Sequence, residues 1–130
     1  MKKNKFSKNW IIKQKRDIYV KKSKLEGYRS RAVYKLQEIN DKFKIIKNNI
    51  SVIDLGAAPG SWSQYISRNF SNSKIISIDL KDIEPIKNLI HIKGDFTEEQ
   101  QKKNIKNYFG KKVDLIVSDM AVNTTGNKSV

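Results

Sequence analysis

Four short runs of β-branched residues constrain what this chain can fold into, because an aspartate closes each of them. The runs lie in the segments ISVIDL, KIISIDL, NLIHIKGDF and VDLIVSDM, and each is typical of a buried strand bounded by turn residues. Their aspartates are Asp54, Asp79, Asp95 and Asp119. One aspartate after a strand is often a turn residue or helix cap, but four in equivalent positions indicate a shared edge where carboxylates gather.

Helical segments lie between most of these strands. SWSQYISRNF follows the first strand, and TEEQQKKNIKNYFG precedes the last one, with Thr97 as its predicted N-cap and Gly110 as its end. Near the N-terminus, the four-residue spacing of Phe6 and Trp10 allows a short amphipathic helix. Strands that alternate with helices favour an α/β, Rossmann-like fold: a mostly parallel sheet of about four strands with helices on both faces, in a single domain.

The sequence of the loop GAAPG, from Gly56 to Gly60, indicates which class of ligand it could bind. It lacks the GxGxxG pattern of a dinucleotide oxidoreductase, and no Gly-Lys-Ser/Thr follows it as in a phosphate-binding loop. Small residues, a nearby ring at Trp62 and several acids suit a ligand with hydroxyls, an adenine and positive charge, and S-adenosylmethionine has these features. Asp79, 19 residues after Gly60, occupies the place of a ribose-hydroxyl partner, and Asp95 is well placed to meet the adenine amino group.

Positive charge is concentrated in the first part of the chain. The net charge is +14, and residues 1–50 carry 16 Lys/Arg against 4 Asp/Glu, whereas residues 51–130 carry 11 against 9. An AT-biased genome would enrich lysine along the whole chain. The asymmetry therefore favours a surface that binds nucleic acid phosphates. We expect residues 1–50 to be a basic RNA-binding extension with a helix, and residues 51–130 to be the cofactor-binding half of the domain.

The segment YRSRAVYKLQEINDKFKI contains a candidate catalytic lysine. Its apolar residues recur at helical spacing, so we expect a helix over about 31–41 with Ser30 as its N-cap. Lys35 lies at the edge of the apolar stripe, where its amine could emerge into a neighbouring cleft.

Two arginines and two tyrosines around this helix start are candidates for contact with RNA. Arg29 and Arg31 would bind phosphates, and Tyr28 and Tyr34 would stack on bases. Ordinary solvation of a helix start is an equally weighted alternative.

The chain resembles the FtsJ/RrmJ family of S-adenosylmethionine-dependent ribose 2'-O-methyltransferases in five motifs that occur in order: SRAVYKLQEI, DLGAAPGSWSQY, SIDL, GDF and SDMAVN. The resemblance runs from about Trp10 to Asn123, and DLGAAPGxWSQ is its most specific part. It implies a class I methyltransferase fold, S-adenosylmethionine as cofactor, and methylation of a uridine in 23S ribosomal RNA of the large subunit.

The resemblance also implies roles for individual residues. Gly60 and Trp62 would contact the cofactor, Asp79 would bind its ribose hydroxyls, and Asp95 would lie beside the adenine. Asp119 would lie near the methionine part and the reacting methyl group. The family's active site is a Lys-Asp-Lys-Glu set, in which Lys35 matches the first lysine and Asp119 the aspartate. With the small residues of the glycine loop, the predicted cofactor site comprises Gly56, Ala57, Pro59, Gly60, Trp62, Asp79, Asp95 and Asp119, and the predicted catalytic residues are Lys35 and Asp119.

Two departures from the family pattern change what we expect of this chain. Val122 occupies the place of a usual proline in SDMAVN, which removes a restraint on φ. No residue matches the second lysine or the glutamate of the catalytic set, because the sequence stops at Val130. We therefore expect a longer protein to methylate RNA and this chain to do so weakly or not at all. The alternative is a non-catalytic fragment that binds cofactor or RNA and needs a partner or a C-terminal half.

Composition and spacing bear on location, metals and assembly. Since no apolar run approaches a membrane span and the N-terminus lacks a signal-like apolar segment, we expect a cytoplasmic protein. No cysteine is present, no carboxylates are spaced as a metal ligand set, and His91 is expected to be a core or edge residue, so no metal site is predicted. A complete protein would be a monomer, and a chain with an open fourth strand would associate or aggregate.

Overall fold

Helices and strands alternate in the computed structural model, which describes residues 2–110 and 113–119, with the backbone alone for residues 2–7. The order along the chain is α1 (Lys2–Glu26), α2 (Val33–Phe43), β1 (Ser51–Leu55), α3 (Ser61–Asn69), β2 (Lys74–Asp79), β3 (Leu89–Lys93), α4 (Glu99–Phe109) and β4 (Leu115–Ser118). The predicted strands and the two helices that follow β1 and β3 are therefore present. Val122 lies outside the described residues.

The four strands form one parallel sheet in the order β3-β2-β1-β4. β1 pairs with β2 on one side and with β4 on the other, so the strand order reverses at β1 and β4. The predicted α/β fold with a mostly parallel sheet is confirmed. In such a sheet the reversal point opens a crevice at the carboxyl ends of the two strands, which is where ligands bind. The connection between β2 and β3, residues 80–88, contains no helix.

Helices α2 and α3 cover one face of the sheet. Both helices bury an apolar stripe: Val33 and Leu36 of α2 are 0% and 1% exposed, and Ile66 of α3 is 0% exposed. They pack on Val52 and Ile75 of the central strands. Each such side chain, once buried, stabilises the fold by about 1.5–3 kcal/mol, so this layer provides much of the core.

Helix α4 covers the other face, where Phe109 packs with Ile53 and Ile78. Helices thus lie on both faces, as expected. The cover does not extend over β4, since Ile116, the register partner of Ile53, is 59% exposed.

Helix α1 is far longer than the short helix that the sequence suggested. Its 25 residues extend over about 38 Å at 1.5 Å per residue, and its side chains from Lys8 to Lys22 are exposed. It ends in a Schellman motif: Gly27 has φ +75°, and the N–H groups of Gly27 and Tyr28 donate to the carbonyls of Lys24 and Ser23. Among residues 8–26 of the helix, Ser23 alone is buried, so this part has no continuous apolar stripe that a periodicity argument could detect.

Both predicted N-caps are wrong. Helix α2 begins at Val33 with Ala32 at the N-cap position, because the Ser30 hydroxyl lies 2.8 Å from the Ser61 hydroxyl instead. Helix α4 is preceded by Glu98, because the Thr97 hydroxyl donates to Asp95. The predicted end of α4 at Gly110 is confirmed, with φ +63° in the left-handed region.

Candidate active site

The glycine loop that follows β1 folds back over the end of β2. The N–H groups of Gly56 and Ala57 donate to the carbonyl of Ile78, at 2.8 and 3.3 Å. The next N–H, of Ala58, donates to Oδ2 of Asp79 at 2.9 Å, and the Ala58–Pro59 peptide is cis. Three successive backbone amides therefore bind the end of β2, which fixes the loop beside the acid that closes that strand.

Asp79 is oriented by backbone donors on both of its oxygens. Oδ2 accepts from Ala58, and Oδ1 accepts from the N–H of Lys81 at 2.9 Å. A carboxylate oxygen has two lone-pair sites, so each oxygen keeps one acceptor site for a hydroxyl. The geometry suits the predicted role of binding a pair of ribose hydroxyls, and that role stays a prediction.

Asp95 follows β3 and lies next to Asp79 across the strand ends. The N–H of Gly94 donates to the Asp79 carbonyl at 2.8 Å, which joins the two segments. Oδ1 of Asp95 accepts from the Thr97 hydroxyl at 2.6 Å and from the Thr97 N–H at 2.9 Å. The hydrogen bonds from the hydroxyl and then the N–H of Thr97 lower the pKa of Asp95 below its ordinary value. Its carboxylate is therefore ionised at neutral pH, and both bonds from Thr97 go to Oδ1. The contact of Asp95 with the adenine stays a prediction.

Lys35 and Asp119 come together on the other side of the reversal point. Lys35 lies in the first turn of α2 and Asp119 directly follows β4, and their Nζ and Oδ1 atoms are 3.9 Å apart. Their side chains are 69% and 35% exposed, so the pair is open to a substrate. It lies in a cleft of about 540 Å³ that is also lined by Tyr19, Ser30 and Arg31. The predicted catalytic residues thus form a donor and acceptor pair in one cleft.

A larger cavity of about 690 Å³ lies on the face that α4 covers. Ile53, Ile105 and Val113 line it together with Lys102 and Lys106, and no described residue of its lining is an acid. Its described lining offers no carboxylate to a positively charged ligand, so the smaller cleft that Lys35 and Asp119 share is the candidate catalytic site. Asp79, Asp95 and the glycine loop line neither cavity.

The FtsJ-like methyltransferase family matches residues 28–130, from just before helix α2, which carries Lys35, to the last residue. The chain belongs to this family. The resemblance seen in the sequence motifs is therefore confirmed.

Relatives and a solved structure agree with the family. The chain is 64% identical to ribosomal RNA large subunit methyltransferase E of Pelagibacter ubique (strain HTCC1062), over 100% of this chain and 64% of that protein. It is 49% identical to the protein of the same name from Rickettsia akari (strain Hartford), over 95% of this chain and 57% of that protein. The crystal structure of a ribosomal RNA methyltransferase from Plasmodium falciparum matches with a TM-score of 0.67 and 39% identity, over 77% of this chain and 60% of that one. The chain thus spans less than two thirds of the length of these proteins.

Gly60, which the family resemblance assigns to the cofactor, is a glycine here for reasons of packing and backbone conformation. A Cβ at this position would lie 2.9 Å from Nη1 of Arg29 and 3.2 Å from Cδ1 of Ile86, and φ is +110°. Both facts exclude a side chain without strain. The space that a side chain would occupy is filled by protein rather than left open to a ligand, and the cofactor contact of Gly60 stays a prediction.

Trp62, the other residue of this motif, belongs to the core. It is 6% exposed, packs in the cluster with Val33 and Ile66, and its Nε1–H donates to the Ala32 carbonyl at 2.8 Å. The indole therefore joins α3 to the start of α2, which carries Lys35. The contact of Trp62 with the cofactor stays a prediction.

Asp54 is the strand aspartate that does not reach the surface. It lies inside β1, is 1% exposed, and accepts a hydrogen bond from the Ser63 hydroxyl at 2.8 Å. Burial raises its pKa to about 7, against the lowering effect of Ser63, and the negative charges of Asp119 and Asp79 add to the increase. The pKa of Asp54 thus depends on the charge of Asp119, on the predicted catalytic side, and on the charge of Asp79, on the predicted ribose side.

The candidate RNA-contacting residues divide into bound and available groups. The Arg29 guanidinium donates to two backbone carbonyls. The Arg68 guanidinium lies over the Tyr28 ring, 4.5 Å from its centroid. Tyr34 is 8% exposed, and its hydroxyl donates to Glu26. Arg31 is exposed in the cleft.

Sequence reasoning missed one exposed aromatic residue of this cleft. Tyr19 is 43% exposed, and its ring packs 5.4 Å from that of Tyr34. No signal in the sequence linked it to Lys35, since the two residues lie on different helices.

Other site types find no support in residues 2–110 and 113–119. No three His, Cys, Asp or Glu side chains in these ranges are grouped to hold a metal ion. His91 is half-buried, with Nδ1 2.7 Å from the Ser77 hydroxyl and Nε2 2.9 Å from the Lys81 carbonyl, so it is an edge residue with both nitrogens bound. None of the described helices is long and apolar enough to cross a membrane.

Proposed function

We propose that this protein takes part in the S-adenosylmethionine-dependent methylation of a ribose 2'-hydroxyl in ribosomal RNA. The observation that carries the proposal is the Lys35–Asp119 pair, 3.9 Å apart at the reversal point of a parallel sheet whose neighbouring strand ends carry Asp79 and Asp95. The names of the relatives favour ribosomal RNA as the substrate class. A uridine of 23S RNA in the large subunit is the target that the family resemblance implies.

The acids at the strand ends fit the proposed cofactor. S-adenosylmethionine would supply a methyl group from a positively charged sulfonium, and it also carries an amino group, two ribose hydroxyls and an adenine. Asp79 and Asp95 each present carboxylate oxygens whose orientation is fixed by backbone and Thr97 donors. A phosphate-rich cofactor would be repelled by the same acids, because its phosphates and the carboxylates carry the same charge.

Lys35 and Asp119 can hold the acceptor nucleotide in place. The Asp119 carboxylate can accept a hydrogen bond from the 2'-hydroxyl, and the Lys35 amine can donate to the ribose oxygens beside it. A hydroxyl held between the two would point along one line, and methyl transfer requires such alignment of the attacking oxygen.

The basic side of the molecule adjoins this cleft and favours an RNA strand as the acceptor. Helix α1 carries seven Lys/Arg against two Asp/Glu between Lys8 and Glu26, all of them exposed. Tyr19 of the same helix and Arg31 line the cleft itself, and together they offer a ring for base stacking and a cation for a phosphate.

Transfer of label from methyl-labelled S-adenosylmethionine to undermethylated large ribosomal subunits tests the proposal. From a longer relative that contains this segment we expect labelled 2'-O-methyluridine in the digested RNA, and from this chain alone little or none. In the longer protein, the variants that match Asp119→Ala and Lys35→Ala should lose activity at least about tenfold, because both would misplace the hydroxyl. Lys74→Ala, at the opposite end of the sheet, is the matched control and should keep the wild-type rate.

The same assay distinguishes the non-catalytic alternative. A chain that binds cofactor and RNA but transfers no label, alone or with a longer relative's C-terminal part added, would be a binding fragment. The exposed Ile116 on β4 is the observation that favours such a partner-dependent protein. Label on a base atom rather than on the ribose would contradict the proposed reaction.

A further inference from the structure

The guanidinium of Arg29 bridges two loops that border the proposed cofactor site. Nη1 donates to the carbonyl of Pro59 in the glycine loop at 2.9 Å, and Nη2 donates to the carbonyl of Pro85 after β2 at 3.0 Å. The backbone N–H of Arg29 donates to Oε1 of Gln64 on α3 at 2.8 Å, which fixes the residue from a third side.

The same guanidinium also packs on Gly60. Its Nη1 would lie 2.9 Å from a Cβ at that position, and Ile86 and Ile83 of the second loop would lie 3.2 and 3.5 Å from it. Arg29, Gly60 and the 83–86 segment therefore form one close contact, which a larger residue at Gly60 would separate.

Residues 80–88 need such an anchor. They connect β2 to β3 without a helix, and Leu80 is 70% exposed, whereas Ile83 and Ile86 are half-buried. The segment therefore depends on a few contacts, among them the hydrogen bond that the Ser67 hydroxyl donates to the Lys87 carbonyl at 2.8 Å. An arginine is well suited to this task, because its planar fork of N–H groups can bind two carbonyls at once without losing its charge.

We propose that Arg29 is a positioning residue that holds the glycine loop and the 80–88 segment together, so that Asp79 between them is ordered before the cofactor binds. The inference rests on the proposed function for its ligand. A site that is ordered in advance binds more tightly, because binding then costs less conformational entropy. Arg29 also lies six residues before Lys35, so one side chain connects the cofactor loops to the segment that leads into α2.

Replacement of the Arg29 guanidinium by an uncharged group of similar length tests the proposal. We expect Arg29→Met to increase amide exchange of residues 56–60 and 80–88 without cofactor. It should also weaken S-adenosylmethionine binding at least about tenfold, because the two loops would then have to be ordered when the cofactor binds. Arg29→Lys can bind only one carbonyl and should recover part of both losses. If Arg29→Met does not fold, Arg29→Lys carries the same two measurements.

Arg68 provides a matched control. Its guanidinium also donates to two carbonyls, those of Glu26 and Gly27, at 2.9 and 2.8 Å, but it contacts neither loop. Arg68→Met should leave cofactor affinity and exchange in the two loops at wild-type values.

A double variant shows whether Arg29 and Gly60 affect cofactor affinity through one shared contact or independently. If Arg29 and Gly60 share one contact, Arg29→Met with Gly60→Ala should lose less affinity than the product of the two single losses. Wild-type exchange in both loops of Arg29→Met would overturn the proposal, and so would a loss of affinity without any change in exchange, which would indicate direct contact with the ligand. If the wild-type protein does not bind the cofactor, the proposed function fails, while the exchange measurement still decides the role of Arg29.

Discussion

Asp54 shows, at the scale of a single residue, how the core and the site are coupled. The carboxyl is 1% exposed in the central strand, and burial raises its pKa to about 7, with further contributions from the charges of Asp119 and Asp79. Its ordinary pKa is 3.8, so the folded state holds the proton over a pH range in which the unfolded state releases it. The stability of the fold should therefore depend on this one group.

We expect Asp54→Asn to remove a loss of stability that the wild-type protein shows as the pH rises. Below about pH 4 both states hold the proton and Asp54 costs nothing; between about pH 4 and 7 the unfolded state ionises first, so stability falls by up to about 4 kcal/mol. The asparagine keeps an acceptor for Ser63 and does not titrate. Urea unfolding of both proteins at about pH 4.5, 6 and 7.5 measures the difference, which should grow with pH. Exposed Asp82→Asn is the control, and a difference that is constant with pH would contradict the assignment.

Sequence patterns locate site residues that depend on chain position but not those that depend on distant contacts. Asp79, Asp95 and Asp119 could be predicted because the ends of parallel strands meet at one edge, whatever the details of packing. The bridging role of Arg29 could not, since its acceptors lie 30 and 56 residues away and are backbone carbonyls that any residue would provide.

Helix α1 shows, at the scale of elements, how packing varies along one helix: within residues 8–26, the described contacts lie towards its C-terminal end. Ser23 is 3% exposed, and the ring of Tyr19 packs on Tyr34, whereas Trp10 and Ile12 are 60% and 57% exposed. A helix that lacks tertiary packing has only its intrinsic propensity to stabilise it, and repulsion among its lysines lowers that further.

We expect amide exchange in α1 to fall from its free end towards its anchor. Residues 8–18 should exchange at rates near those of an unfolded chain, and residues 19–26 should be protected by at least about tenfold, since opening them requires the contacts at Ser23 and Tyr19 to break. Addition of RNA should slow exchange in residues 8–18, whereas an uncharged polymer should not. Equal protection along the whole helix would show that another surface covers it.

Element types were easier to predict than element ends. The strands follow from β-branched runs with few alternatives, and Gly110 ends α4 because it alone tolerates the left-handed conformation without cost. Ser30 and Thr97 are good capping residues by type. In the structure, however, the Ser30 hydroxyl bonds with Ser61 and the Thr97 hydroxyl donates to Asp95. A local rule cannot anticipate such competition.

At the scale of the whole molecule, the excess of positive charge and the acids at the strand ends lie in different parts of the chain. Residues 1–50 carry the excess of Lys/Arg, and the acids follow strands β2, β3 and β4. The proposed RNA and cofactor therefore meet at the boundary, where Lys35 and Asp119 lie 3.9 Å apart.

We expect RNA affinity to fall steeply with salt, and Arg31→Ala to reduce the slope of log K against log salt concentration by about 0.7, the value for one phosphate contact on a single strand. Arg29→Ala should keep the wild-type slope, because its guanidinium is bound to carbonyls. Filter binding of a short RNA across a salt series measures the slopes, with Lys74→Ala as the control at the far end of the sheet. An unchanged slope in Arg31→Ala would remove Arg31 from the RNA surface.

The central claim is that the acids at the strand ends bind S-adenosylmethionine, and calorimetric titration of the protein with this cofactor tests it most directly. We expect one site per chain, with affinity reduced at least about tenfold in Asp79→Asn and in Asp95→Asn, because each loses a charged acceptor. Asp82→Asn, in the segment after β2 with an exposed carboxylate 3.6 Å from Lys93, should bind as the wild type does. Absence of binding heat, or equal affinity in all four proteins, would contradict the account.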